Sequence, residues 1–190
     1  TSGMTGQPYL KIFSVSKNNS EEKPVLLNQE FNKSPYHVGP VSSNKSGSKL
    51  FVTRTNPNSN VQKFSRDGYK WRRANLELIE YTNNNGVWEE RNFQYNNVKS
   101  YSLGHAVLSD DEKRLYFVSD MPGGVGGSDI WYSDLQQDGT WTSPTNAGLE
   151  INTPFEEMFP MVYKNTIFYS SDGKPGLGGL DIFESKITGN

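Results

Sequence analysis

Two glycine-rich segments contain the residues of this chain that most resemble a ligand-binding loop. Residues 115–129 read LYFVSDMPGGVGGSD and residues 167–181 read IFYSSDGKPGLGGLD, so each copy places its glycines between two aspartates. A phosphate-binding glycine loop is followed directly by a helix and includes a Lys next to Ser or Thr. Here an apolar pattern typical of a strand follows each copy. We therefore expect tight turns with glycines at positive φ, in which Asp129 and Asp181 accept hydrogen bonds from backbone N–H groups or reach the neighbouring sheet.

The same aspartates are hard oxygen donors of the kind that calcium prefers. Asp120 and Asp129 are nine positions apart, and neither loop has the Asp-x-Asp spacing of a calcium loop. The chain also has no cysteine, which removes thiolate metal sites, cysteine nucleophiles and disulfide bonds. We predict no metal site and no cofactor.

Acidic pairs and histidines are the remaining candidates for catalysis. They are the pairs Asp110-Asp111 and Glu156-Glu157 and the single residues His37 and His105. The first pair falls in a predicted hairpin turn, whereas the second lies near the start of an inner strand and could face a channel. Both histidines lie at the entry of an inner strand, which favours a structural role. No set of nucleophile, base and orienting acid can be assembled, so we predict no catalytic residue and no enzyme.

An insertion at residues 57–75 is the least repetitive part of the chain. Basic and aromatic residues alternate within it, a composition typical of a contact surface for a protein, a glycan or a polyanion. The candidate partner contacts are Lys63, Arg66, Tyr69, Lys70, Trp71, Arg72 and Arg73. The alternative is a solvated loop whose aromatic residues pack onto the adjacent sheet.

The return of the glycine segment sets a period for the whole chain. The two copies share six identical positions at a constant offset of 52 residues, and each reads as strand, turn, strand. A fixed period of this size with strands is typical of stacked sheet modules. Modules of four antiparallel strands predict an all-β fold, namely a β-propeller of which this chain covers about three to four blades in an incomplete ring. A β-sandwich, or a four-bladed ring closed by the N-terminal strands, remains the alternative.

The period divides the chain into one predicted propeller domain of four parts. Residues 1–34 are expected to form the outer strands of a blade, with strands at 9–15 and 24–27. Residues 35–101 form a blade with the 57–75 insertion, residues 102–153 a complete blade and residues 154–190 a partial blade. Trp88 and Trp141 follow similar turns and are expected to pack between neighbouring blades. Residues 71–80 are expected to contain no more than a short helical turn.

Composition limits the possible functions of the chain. Only 33% of its 190 residues are hydrophobic and the mean hydropathy is -0.72, yet 13% are aromatic, which suits an all-β domain with polar turns. With a net charge of -2, the chain is not expected to be attracted electrostatically to nucleic acid or anionic lipid. No apolar run approaches the roughly 20 residues of a membrane-spanning helix. The first residues, TSGMTGQPYL, contain no secretory leader, so we expect any export signal to lie outside this sequence or to have been removed.

Several motifs resemble one known family. The segments SDMPGGVGGSDIW, INTPFEEMFP and SSDGKPGLGGLDIF are similar to the PD40 (WD40-like, TolB-related) propeller of envelope proteins with an OmpA-like domain, and SPYHVGPVSSNKSGSKLFVTR is a looser version of the same blade. Asp110-Asp111-Glu112 and the basic insertion depart from that pattern. The resemblance extends to PorE-like components of the type IX secretion and gliding machinery.

That resemblance implies a role as well as a fold. It implies a non-enzymatic periplasmic scaffold in an outer-membrane-associated lipoprotein, with envelope proteins of a secretion or gliding complex as partners. Peptidoglycan would be bound by a domain outside this chain. A propeller that binds or cleaves glycans through channel-facing acids is the alternative.

Overall fold

A computed structural model describes residues 8–16, 18, 21–27, 30–33, 36–56, 58–59, 62–66 and 68–187. Within these residues the protein is all-β: every strand pairing is antiparallel, the sheets have two to four strands, and the one helical element is a 3-10 turn at Glu30–Lys33. The predicted all-β class is confirmed. The expectation about a missing leader concerns residues 1–10, of which residues 1–7 lie outside the described part of the chain.

The first half of the chain forms a ribbon, a four-stranded sheet and a hairpin inserted into that sheet. Strands β1 and β2 pair as a ribbon, β5 and β6 pair as the inserted hairpin, and the sheet has the order β3-β4-β7-β8. The strands are β1 (Phe13–Ser14), β2 (Val25–Leu26), β3 (Val38–Ser43), β4 (Lys49–Thr55), β5 (Gln62–Arg66), β6 (Tyr69–Arg73), β7 (Leu76–Asn84) and β8 (Val87–Asn92). We call the four-stranded unit the first sheet.

The second half forms two further sheets with the same meandering order. The second sheet contains β9 (Leu103–Leu108), β10 (Arg114–Ser119), β11 (Asp129–Asp134) and β12 (Thr145–Asn146). The third sheet contains β13 (Glu157–Tyr163), β14 (Thr166–Ser171) and β15 (Asp181–Lys186). Ser119 pairs with Asp129 and Ser171 pairs with Asp181, so both glycine segments have the same register. Each segment is therefore strand, turn, strand, as predicted.

Two strands predicted from the repeat, at residues 9–15 and 141–149, are shorter in the structure. Residues 9–15 form a strand only at Phe13–Ser14; the Asn32 amide bonds to both backbone groups of Ile12 at 3.0 and 2.8 Å, and Ile12 O also accepts from Leu27 N at 3.0 Å. Residues 141–149 pair only at Thr145–Asn146 and through one bridge from Trp141, since Pro144 interrupts the run and has no N–H to donate. Residues 71–80 contain no helical turn, in agreement with the expectation of no more than a short one; apart from Ala74 and Asn75 they lie in β6 and β7.

The second sheet is buried on both faces. Leu115 and Phe117 of β10 belong to one apolar cluster with residues of the first sheet, including Phe51. Tyr116 and Val118 belong to another, with Ile167 of the third sheet. Because neighbouring residues of a strand face opposite sides, the second sheet lies between the other two.

The tryptophans fill the spaces between successive units. Trp141 is buried and meets Phe51 edge to face, with 6.2 Å between ring centroids. Trp88 meets Phe31, which precedes the first sheet, at 6.4 Å. The prediction that both pack between neighbouring units is confirmed.

Hydrogen bonds lock the second and third sheets together beside the glycine segment. Gly127 N donates to Phe155 O at 2.7 Å, and Glu157 N donates to Ser128 O at 2.8 Å. A side chain at Gly126 would overlap the carbonyl oxygens of Thr153 and Phe155. Gly126 is therefore required by the close approach of two backbones, whereas the sequence had suggested positive φ.

The opposite end of the stack is joined through the hairpin turns of the inner strands. The Glu112 carboxylate accepts from Lys45 N at 2.6 Å, and the Asp110 carboxylate accepts from Asn165 N at 3.1 Å. The inner strands β3, β9 and β13 also contact one another in that order. Asp110 thus holds a neighbouring turn, although the sequence indicated a solvated residue.

Replacing Gly126 with alanine should destabilise the protein more than replacing a glycine that only needs positive φ. Gly139→Ala is the matched control, because Gly139 has φ of 80° and open space around its Cα. We expect a loss of about 1 kcal/mol for Gly139→Ala from backbone strain. Gly126→Ala should lose more than about 2 kcal/mol, because backbone atoms must move apart. Urea unfolding measures both, and equal losses would contradict the tight contact between the sheets.

Candidate functional site

The predicted contact insertion contains a two-stranded hairpin. Strands β5 and β6 pair from Gln62 with Arg73 to Arg66 with Tyr69, and Gly68 lies in the turn with φ of 82°. The sequence analysis had indicated an insertion in place of the short loop and had not predicted its strands. Residues 57, 60, 61 and 67 of the insertion lie outside the described part of the chain.

The strand register divides the predicted contact residues between the two faces of the hairpin. Residues directly opposite each other share a face, and alternate residues along a strand share it too. One face has the register positions of Lys63, Lys70 and Arg72, and the other has those of Arg66, Tyr69, Trp71 and Arg73. One face is therefore basic and the other combines aromatic residues with arginines. The side chains of Lys63 and Arg73 are exposed, and those of the other five candidates lie outside what the structure describes.

The base of the insertion is fixed to the first sheet by asparagines. Asn56 N donates to Asn75 O at 3.1 Å, and Asn75 N donates to the Ser59 hydroxyl at 3.1 Å. The Asn75 side chain donates to Val98 O at 3.0 Å. These bonds close the insertion at its root, so that the hairpin projects from a fixed point.

One ion pair joins the hairpin to the second sheet. Arg73 Nη2 lies 3.2 Å from Asp120 Oδ2, and the Arg73 side chain is 54% exposed. The other oxygen of Asp120 accepts from Ser102 N at 2.6 Å, which fixes the carboxylate. Asp120 is one of the positions that are identical in the two glycine segments. The insertion therefore forms its ion pair with a residue of the repeat.

A cavity of about 380 Å³ lies beside this ion pair, where the three sheets meet. Its apolar wall is formed by Ala74, Leu76, Val118 and Met158. Its polar lining consists of Arg73, Ser102, His105, Ser119, Asp120, Ser128 and Glu156. A concave apolar space with a few converging polar groups is the usual form of a small-ligand site.

The two acids of the Glu156-Glu157 pair have different surroundings. Glu156 lines the cavity, and Ser128 donates to its Oε2 from the backbone N–H at 3.0 Å and from the hydroxyl at 2.5 Å. Glu157 is fully buried and accepts from Thr153 N, the Thr153 hydroxyl and the Ser171 hydroxyl at 2.6 to 2.8 Å. Of the two, only Glu156 lies where a ligand can reach it.

His105 has an unusual position within the cavity wall. It adopts φ of 52° in β9 and stacks on Phe159 of β13, with ring centroids 4.5 Å apart and an interplanar angle of 15°. Its Nδ1 is buried, and no hydrogen-bond partner for it lies within the described residues. Burial lowers the pKa of His105 from its ordinary value.

The glycine segments use their aspartates to hold the turns. Asp129 accepts from Val125 N at 2.5 Å and from Gly126 N at 3.2 Å, and Asp181 accepts from Leu177 N and Gly178 N at 2.8 and 3.2 Å. The predicted capping of backbone N–H groups is confirmed. Among the residues that the structure describes, no cluster of three or more His, Asp or Glu side chains could hold a metal ion.

Sequence reasoning missed the cavity because its lining comes from three sheets. Ser102, His105, Asp120, Ser128 and Glu156 are distant in sequence and form no motif. The available signal was the repeat, which places Asp120, Ser128 and Glu156 at the ends of neighbouring strands. The relative placement of the sheets could not be derived from it.

Comparison with known proteins adds no relative. No protein-family model matches the chain, and no curated protein matches it. The resemblance to PD40 propellers therefore rests on the quoted residues alone. No helix within the described ranges is long and apolar enough to cross a membrane.

We expect His105 to make the protein less stable as the pH falls. Because the pKa of His105 is lower in the folded protein than in the unfolded chain, the unfolded chain binds the proton more readily. Stability should therefore be complete well above the unfolded pKa of about 6.5 and should decrease below it. The charged residues Arg73, Asp120 and Glu156 line the same cavity.

The measurement is urea unfolding of the wild type and of His105→Asn between pH 7.5 and 5.5. Asparagine tolerates positive φ and does not titrate, so the variant should show a flatter decrease with pH even if it is less stable throughout. His37→Asn is the control for the other histidine. An unchanged pH dependence in His105→Asn would show that His105 is not responsible.

Proposed function

We propose that this chain is part of a β-propeller that serves as a non-enzymatic scaffold for proteins of the cell envelope. The observation that carries the proposal is the repeated, interlocked packing of the sheets. The second and third sheets have the same strand order and glycine segment, and the second lies face to face between its neighbours. Inner strands that contact in chain order are the arrangement that a propeller requires.

The third sheet has a surface that suits a further module. Gly126 and Gly127 in the second sheet hold residues 153–157, whereas their counterparts Gly178 and Gly179 have positive φ and open space around them. Beside them, Leu177 is completely exposed and Ile182 is 78% exposed. An exposed apolar surface next to a glycine turn of the same type supports a ring with additional blades.

The scaffold role follows from the propeller and from the family resemblance. PD40 propellers of this type imply a periplasmic, outer-membrane-associated lipoprotein, and PorE-like components imply a secretion or gliding complex of type IX. Envelope proteins would bind to the rim, and peptidoglycan would bind to a domain outside this chain. We propose the hairpin of β5 and β6 as the contact, because it projects from a fixed root and gathers basic residues on one face.

The glycan-directed alternative has less support. Cleavage would require two carboxyl groups on either side of the sugar bond. Glu157 cannot be one of them, since three hydrogen bonds hold it in the core. Glu156 alone would have to act with an acid from another position.

The contact proposal predicts covalent capture of envelope proteins at the hairpin. A photo-crosslinking residue at Ser65, which is exposed between the basic positions, should give adducts in the periplasm of the producing cell. The same residue at Val87, which is 65% exposed in β8, is the control for surface exposure. Adducts at position 65 should disappear when Lys63, Lys70 and Arg72 are all changed to glutamate.

A matched variant separates local charge from net charge. Lys23, Lys113 and Lys164 are exposed outside the hairpin, and changing all three to glutamate alters the net charge equally. This variant should keep the adducts at position 65. Equal adducts at positions 65 and 87, or recovery of the protein only from the cytoplasm, would contradict the proposed function.

A further inference from the structure

The cavity between the three sheets has an excess of negative charge. Arg73 is paired with Asp120 at 3.2 Å, so their charges balance. Glu156 also lines the cavity, and within the described ranges it forms no ion pair. Its hydrogen bonds come from Ser128, which is neutral. Among the side chains that the structure describes, one carboxylate of this partly enclosed space is thus left without a cation.

The carboxylates of the cavity are already held in place. Ser128 fixes Glu156 through two hydrogen bonds, and Ser102 N fixes Asp120 at 2.6 Å. A ligand would therefore not have to order these side chains, which lowers the cost of binding. His105 lines the same space, but its Nδ1 is buried and is not offered to a ligand. The acceptors that face a ligand are therefore the carboxylates, which suit a group that donates several hydrogen bonds.

The remainder of the wall selects for an apolar group. Leu76, Val118 and Met158 give the cavity aliphatic surface in addition to its polar lining. A volume of about 380 Å³ accommodates a short aliphatic chain with a polar head. The aromatic ring of Phe159 is already stacked on His105, which leaves the aliphatic side as the apolar surface.

We propose that this cavity binds a primary amine on an aliphatic stem, with the ammonium group at Glu156 and the stem against Leu76, Val118 and Met158. An ammonium group supplies one positive charge and three donors, which match the unbalanced carboxylate and the nearby acceptors. Two sources have this chemistry: a lysine side chain of a partner protein and a free small amine. The cavity would bind the amine whether or not the protein is a scaffold.

The first test is titration of the chain with n-hexylamine and with 1-hexanol, its neutral counterpart. Methyl resonances of Leu76, Val118 and Met158 report occupancy of the cavity. For a ligand of this size we expect saturable binding of hexylamine with a Kd of about 1 mM, and much weaker binding of hexanol. Equal binding of the two compounds, or no saturable shift with hexylamine, would overturn the proposal.

Variants of the cavity residues test where the ammonium group and the aliphatic stem of the ligand bind. Glu156→Gln keeps an oxygen acceptor for Ser128 but removes the charge, so hexylamine should bind about fivefold more weakly. Glu150→Gln is the control, because Glu150 is an exposed acid outside this cavity. Ala74→Leu fills part of the cavity and should abolish binding, and it keeps the test valid if Glu156→Gln does not fold. Unchanged affinity in the folded variants would contradict the assigned site.

The source of the amine is distinguished by lysine derivatives. Nα-acetyl-lysine methylamide carries the free side-chain ammonium within a peptide-like unit, and its Nε-acetylated form lacks the charge. Stronger binding of the charged derivative than of hexylamine would indicate a lysine of a partner protein, whereas stronger binding of hexylamine would indicate a free amine. Either result supports an amine site, and failure of both amine probes would reject it without affecting the hairpin contact.

Discussion

The close contact between the glycine segment of the second sheet and residues 153–157 is the constraint on which the stack depends. Gly126 leaves space for two carbonyl oxygens, and Gly127 N and Glu157 N then bond across the gap at 2.7 and 2.8 Å. Ser128 and Glu157 are buried residues, so the bond between them satisfies backbone groups that would otherwise lack partners. The apolar faces of the two sheets meet as a consequence, and Val118 and Ile167 enter one core.

The same contact creates the polar end of the cavity. Residues 153–157 place Glu156 beside Ser128, while the hairpin places Arg73 beside Asp120. Glu157, one position further on, is turned into the core and fixed by three hydrogen bonds. The repeated sheets therefore form most of the cavity lining, and the insertion adds one cation, Arg73.

Much of the fold was predictable because the repeat couples local pattern to register. The offset of 52 residues between the glycine segments correctly indicated strand, turn, strand, and it located Asp129 and Asp181 as caps. Strand lengths were not visible in that pattern: the ribbon is short and is held by Asn32 bonding to Ile12, and Pro144 shortens the last strand of the second sheet. The hairpin in the insertion was missed although its sequence carries a signal: Asp67-Gly68 is a typical hairpin turn, and Tyr69 and Trp71 alternate with basic residues.

The candidate site was less predictable than the fold. Basic residues of the insertion were identifiable from composition, but their division between two faces requires the pairing of Gln62 with Arg73. The cavity requires the placement of three sheets, and a single sequence specifies each sheet better than their packing. Likewise, Glu156 and Glu157 are identical residues in sequence and differ only through their surroundings.

Site-resolved hydrogen exchange of the Gly127 and Glu157 amides tests the interlocking of the sheets most directly. Both amides donate to the backbone of the neighbouring sheet, so they should exchange slowly, close to the rate set by global unfolding. The Gly178 amide, which bonds only within its own turn to Asp181, should exchange faster. Exchange of Gly127 and Glu157 as fast as that of Gly178 would contradict a stack held together at the glycine segment.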